Sequence, residues 1–135
     1  MGVLIDSSVL IGQERGRLDL ESRLADRGDD GFFLSVVTAS ELLHGIHRAK
    51  DPAARARRSA FVESVLARFP LLEINLATAR IHAQIGADLT ASGTLIGPND
   101  LWLAATCIAH GLSIATGNVR EFNRVPGLIV ESWLS

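Results

Sequence analysis

The stretch Val3-Leu4-Ile5-Asp6-Ser7-Ser8-Val9-Leu10-Ile11 sets the reading of the chain. Its first three residues are apolar and two are β-branched, the pattern of a strand buried on both faces. Asp6 interrupts the run, and Ser7 or Ser8 is placed to cap a helix that starts at once. A second apolar triplet, Phe32-Phe33-Leu34, follows the turn signal Gly28-Asp29-Asp30-Gly31. Between them, Leu18 to Arg27 has the spacing of a short amphipathic helix.

The alternation continues to the end. Ser35 or Thr38 caps a helix running to about His47. Asp51-Pro52 starts another, with Phe61, Val62, Val65, Leu66 and Phe69 facing inward. Leu71 to Ile74 is a third strand, and Leu76 to Ala91 a helix that places Ala79, Ala83, Gly86 and Ala87 on a close-packing face. Gly97-Pro98 opens a helix that Gly111 closes, then come Leu112 to Ala115 as a strand, a helical turn over Asn118 to Asn123, and a last strand at Leu128-Ile129-Val130. Strands alternating with helices predict an α/β chain: a three-layer α/β/α sandwich with a central, mainly parallel sheet. With 135 residues and no linker, one domain over 1–135 is expected.

Bulk composition narrows the function. The chain is 47% hydrophobic and 21% charged, as in soluble globular proteins. No apolar run reaches membrane-span length and no basic segment precedes the first one, so neither a membrane nor a secretory role is expected and the cytoplasm is the default. The lone Cys107 makes no disulfide and reads as a small buried hydrophobe. A net charge of -2 excludes holding nucleic acid by global charge, though not a local basic rim. The strip His47, Arg48, Lys50, Arg55, Arg57, Arg58 is the candidate rim, against the ordinary reading of a solvated helix face. Arg120 and Arg124 are alternatives. With five Phe, two Trp and no Tyr, base stacking is not the main grip. Trp102 is assigned to the core or a dimer contact, Trp133 to anchoring the tail, and His82 and His110 to structural positions.

Three acids stand out because their neighbours belong in a core. Asp6 ends the first strand. Glu41 lies in Val36-Val37-Thr38-Ala39-Ser40-Glu41-Leu42-Leu43. Asp100 opens Leu101-Trp102-Leu103-Ala104-Ala105. Singly, Asp6 and Asp100 have ordinary readings as a helix cap and a first-turn acid, and Glu41 could point outward. Together, at the carboxyl edge of a parallel sheet, they point to a shared site. Converging carboxylates repel unless a cation compensates, and oxygen-only ligands select Mg²⁺ or Mn²⁺.

Those stretches resemble the PIN-domain family, and within it the VapC-like toxin ribonucleases of toxin–antitoxin pairs. The resemblance rests on Ile5-Asp6-Ser7-Ser8-Val9-Leu10-Ile11, Ser40-Glu41-Leu42-Leu43-His44-Gly45, Ile96-Gly97-Pro98-Asn99-Asp100-Leu101-Trp102, and the tail Thr116-Gly117-Asn118-Val119-Arg120-Glu121-Phe122 with Val125-Pro126-Gly127-Leu128. It implies a Mg²⁺- or Mn²⁺-dependent endoribonuclease leaving 5′-phosphate and 3′-hydroxyl ends, with Asp6, Glu41 and Asp100 as catalytic and metal-binding acids. It also implies supporting roles for Ser8 and Thr116, a homodimer, and a VapB-like antitoxin partner whose Arg would suit the acidic pocket. Asn118 stands about where the family often has a fourth acid, so an amide replaces a charge in the metal set. Arg57, Arg58 and Arg120 are the expected RNA contacts. A phosphohydrolase with an Asp nucleophile is the rival enzyme class, but its second acid would fall at Ser8. A binding module that has lost activity is the rival without chemistry, and the three retained acids oppose it. A nucleotide-binding domain lacks its Gly-rich loop.

Overall fold

The computed structural model describes residues 1–134. The strands are β1 (Val3–Ile5), β2 (Phe32–Ser35), β3 (Leu71–Leu72), β4 (Ser113–Thr116) and β5 (Val130–Ser132), and the helices are α1 (Ser7–Glu14), α2 (Leu20–Asp26), α3 (Val36–Arg48), α4 (Pro52–Arg68), α5 (Leu76–Ser92), α6 (Pro98–His110) and α7 (Val119–Phe122). All pairings are parallel, and the sheet order is β3-β2-β1-β4-β5. Leu4 lies in register with Phe33 on one side and Ile114 on the other.

Successive strand residues point to opposite faces, so each apolar run supplies two cores. Val3, Ile5 and Leu34 join Val9, Leu42 and Val62 beneath α1 to α4. Leu4 and Ile114 join Ile85, Leu103 and Phe122 beneath α5 to α7. The predicted three-layer α/β/α arrangement is therefore the observed one, and both sheet faces are covered.

Several local readings are corrected. The residue at the cap of α1 is Asp6, not Ser7 or Ser8, and its carboxylate makes no capping bond. Ser35, not Thr38, caps α3 through its hydroxyl. β3 is two residues long and β5 starts later than expected, because edge strands pair on one side only. The small-residue face of α5 is inward only in part, with Ala79 and Gly86 half-buried and Gly86 against Leu101. Thr78, Ile85 and Leu89 are its buried residues, while Ala83 and Ala87 are exposed, since the larger apolar groups gain more by burial. Cys107 and Trp133 behave as expected: both are buried, and Trp133 meets the edge of Phe32 at 6.1 Å. Trp102 stacks on His82 at 3.6 Å, and burial there holds the imidazole below its usual pKa. His110 is exposed at the end of α6, not buried with the core.

The order of the strands positions the site. After β1 the chain moves outward to β2 and β3, then crosses to the other side for β4 and β5. The reversal falls between β1 and β4, where a crevice opens beyond the carboxyl ends of parallel strands. Asp6 and Thr116 stand at those two ends.

Among the described residues two buried side-chain atoms are unpaired, one on Thr38 and one on Glu41. Thr38 is fully buried on α3 and its hydroxyl has no partner. Thr38→Val keeps the shape and removes an unsatisfied polar atom, so it should leave stability unchanged or raise it by about 1 kcal/mol. Urea denaturation checks this; a loss above that size would reveal a partner for the hydroxyl.

Candidate active site at the carboxyl edge of the sheet

Asp6 is 5% exposed and is held through one oxygen. Ser8 Oγ donates to Asp6 Oδ2 at 2.8 Å, and Thr116 Oγ1 donates to the same oxygen at 2.7 Å. Each hydroxyl in turn accepts a backbone N–H, Ser8 from Gly117 at 3.0 Å and Thr116 from Asn118 at 2.8 Å. The two amides thus fix the direction of both O–H groups, and the four-bond chain ties β1, α1 and the end of β4 together. Asp6 Oδ1 has only a 3.5 Å contact with the Ser7 hydroxyl and keeps its lone pairs available.

Asp100 enters from the first turn of α6. Asn118 Nδ2 donates to Asp100 Oδ2 at 3.1 Å and to Glu121 Oε2 at 2.8 Å. Glu121 also accepts the backbone N–H of Gly97, which starts α6. Glu121 is the residue that sequence reasoning missed. It lies one helical turn after Asn118, inside a stretch already recognised, and the i, i+3 spacing was the available signal. The amide at 118 therefore carries its N–H to two acids, and a fourth carboxylate arrives from 121.

Glu41 enters from α3 and completes the group. Its Oε1 is buried with no hydrogen-bond partner. Burial, then the charge of Asp6, pushes Glu41 above its usual pKa, against weaker help from Asn99 and Ser7. Asp100 is pushed up to about 6 by burial first, then by the charges of Asp6 and Glu121, with the Asn118 amide opposing. Glu121 is held low by the Gly97 amide and Asn118. The sequence-predicted acids Asp6, Glu41 and Asp100 are thus brought within electrostatic reach, with Ser8 and Thr116 on Asp6.

Among the described residues, no three His, Cys, Asp or Glu side chains are arranged to hold one ion directly. Asp6 accepts from two hydroxyls and Asp100 from an amide. The donor chemistry still suits a hard cation. The set is all oxygen, one oxygen is orphaned, and burial followed by the charges of Asp6 and Glu121 lifts the Asp100 carboxyl to about 6.

The basic residues divide. Arg48 and Arg58 line a depression beside Glu41, and Arg58 lies 3.6 Å from Glu14. Arg57 is exposed outside it, and Arg120 is exposed on α7. Arg124 donates to the Leu95 carbonyl at 2.7 Å and serves the loop before α6.

The PIN domain model matches residues 3–128. The chain belongs to the PIN-domain family. It is 35% identical over 130 residues to a Ribonuclease VapC of Rickettsia bellii, covering 96% of this chain and 95% of that one. It is 35% identical to a tRNA(fMet)-specific endonuclease VapC of Salmonella typhimurium over 74% of each chain. A crystal structure of DNA-bound VapBC from Salmonella typhimurium superposes with a TM-score of 0.88 at 28% identity, covering 98% of both chains. No helix among the described residues of this PIN domain is long and apolar enough to cross a membrane.

Two measurements test the site. Thr116→Val removes a hydrogen bond to a carboxylate and should cost about 1.5–3 kcal/mol in urea unfolding, with Thr116→Ser near wild type. The second concerns pH. Asp100 titrates higher folded than unfolded, so the native state binds more protons between about pH 4 and pH 6, and stability falls as pH rises through that window. Asp100→Asn removes this loss. In EDTA, its melting temperature relative to wild type should climb from pH 4 to pH 7; a constant difference would contradict the coupling.

Proposed function

We propose that this PIN domain is a metal-dependent endoribonuclease, the toxin of a VapBC-type toxin–antitoxin pair. The observation that carries the reading is the carboxylate cluster at the sheet's switch point, with an orphaned Glu41 oxygen and an Asp100 carboxyl raised to about 6. The named activities of the relatives support RNA as substrate, and the solved VapBC complexes support a VapB-like antitoxin as partner.

Asp6 Oδ1 and Asp100 are the oxygens offered to Mg²⁺ or Mn²⁺, with Glu41 beside them. A divalent cation held there supplies charge stabilisation to a phosphodiester and makes a nearby water more acidic. The residues do the rest. Ser8 and Thr116 anchor Asp6 so that its free oxygen keeps one direction. Asn118 holds Asp100 and Glu121 together, which steadies the first turn of α6. Glu41, with its free buried oxygen and raised pKa, is placed to accept the proton of the attacking water, since a base titrating nearer neutrality is the more effective one. Hydrolysis at the P–O3′ bond then leaves a 5′-phosphate and a 3′-hydroxyl.

Asp100→Asn and Glu41→Gln should each reduce cleavage of a labelled RNA, such as an initiator tRNA transcript, by at least about a hundredfold. Circular dichroism should remain that of wild type. EDTA should abolish cleavage, and Mg²⁺ or Mn²⁺ should restore it. Equal cutting with Mg²⁺ and with EDTA would overturn the metal role, and full activity in Asp100→Asn would overturn the site. Co-purification with the product of an adjacent gene tests the antitoxin, and light scattering tests the expected homodimer.

A further inference from the structure

Between α1, α3 and α4 lies a small depression of about 70 Å³, open to solvent on one side. Its floor is apolar: Ile11, Leu42 and Val62, with the half-buried ring of Phe61. Its rim carries three guanidinium groups, Arg15, Arg48 and Arg58, against two acids, Glu14 and Glu41. Arg58 is taken by Glu14 at 3.6 Å, while Arg15 and Arg48 have no ion-pair partner among the described residues. Glu41 and Arg48 also line a second, more open hollow with Ser40, His44 and Asn99. The two spaces meet at the acid that the proposed reaction uses.

Gly45 borders this depression. It is buried in the interior of α3, where Gly costs about 1 kcal/mol relative to Ala. Steric need does not explain it. A Cβ there would find its nearest atom, Arg58 Nη1, at 3.7 Å, an ordinary contact. A longer side chain would occupy the depression. A glycine or an alanine there leaves the space open.

We propose that this cavity is a nucleotide subsite, taking one base of the RNA strand next to the phosphodiester at the carboxylates, with the adjoining backbone phosphate on Arg48. The inference rests on the ribonuclease reading and adds a specificity determinant to it. A flat base matches an apolar floor edged by one aromatic ring, and the carboxylate of Glu14 can accept its exocyclic or ring N–H. The unpaired guanidinium of Arg48 offers a forked donor to phosphate oxygens.

The test uses the full chain, with Gly45→Met to fill the cavity, Arg48→Ala to remove an exposed cation without touching the core, and Gly45→Ala as the control. All three should melt at or above the wild-type temperature, within a few degrees. The probe is a fluorescein-labelled single-stranded RNA with randomised positions. Binding is read by anisotropy in EDTA, and cut sites by end sequencing in Mg²⁺. Gly45→Met and Arg48→Ala should weaken binding and raise KM about tenfold, with kcat nearly unchanged. Gly45→Met should also flatten the base preference at one position beside the cut, and Gly45→Ala should keep it. Wild-type cutting with KM and base preference unchanged in both variants would overturn the subsite and leave the nuclease standing. Failure of the wild type to cut any RNA would overturn both. Loss of antitoxin capture with unchanged RNA parameters would reassign the cavity to a protein partner.

Discussion

The structure depends on one buried carboxylate. Asp6 ends β1 at 5% exposure, and Ser8 and Thr116 compensate it through a single oxygen. Burying that charge without donors would be very costly, so the hydroxyls are a condition of the fold as well as of the site. They also do what an apolar contact could not. Ser8 belongs to α1 and Thr116 to the end of β4, so satisfying Asp6 locks the two central strands and the first helix into one geometry. The backbone amides of Gly117 and Asn118 then close the chain, and the segment entering α7 inherits its position from Asp6.

Around this anchor the other acids are held under electrostatic strain. Glu41 and Asp100 both sit above their ordinary pKa values, with burial the leading cause and Asp6 the next. The protein relieves part of that strain with neutral donors. Asn118 is the central one, because its amide serves Asp100 and Glu121 at once. A fourth carboxylate at 118 would have added repulsion there. An amide at 118 with a carboxylate at 121 keeps an acid in the cluster, one whose charge is already paid down by Asn118 and the Gly97 amide. The loop before α6 is bound to α7 by the same Glu121 and by Arg124 on Leu95, so the approach of Asp100 is set by contacts outside its own helix.

How much was legible in advance differs by residue. Asp6, Glu41 and Asp100 were readable because an acid inside an apolar run is improbable without a compensating role. Ser8 and Thr116 were reached through resemblance; nothing in their local sequence distinguishes them from other small hydroxyl residues. Glu121 was missed because short helices with an acid in the first turn are common, and only the fold brings it to Asn118. The inward face of α5 was read only in part: Ala79 and Gly86 are half-buried, but full burial followed the larger Ile85 and Leu89. The division of Arg57 from Arg58 could not be read either, since neighbours on a helix point about 100° apart and the direction of the core decides which one lines the depression.

The sequence by itself determined the alternation of strands and helices, the two-faced burial of β1 and β4, and the chemical kind of the cluster, all oxygen and no thiol or imidazole pair. Those follow from periodicity and residue type, which are local. Tertiary structure alone decided that β1 and β4 are neighbours, that Thr116 meets Asp6, that Asn118 bridges Asp100 and Glu121, and that Gly45 lines a depression beside Glu41. These depend on pairings between segments far apart in the chain, and pairing is chosen by the summed burial of both sheet faces, a quantity that no single stretch contains.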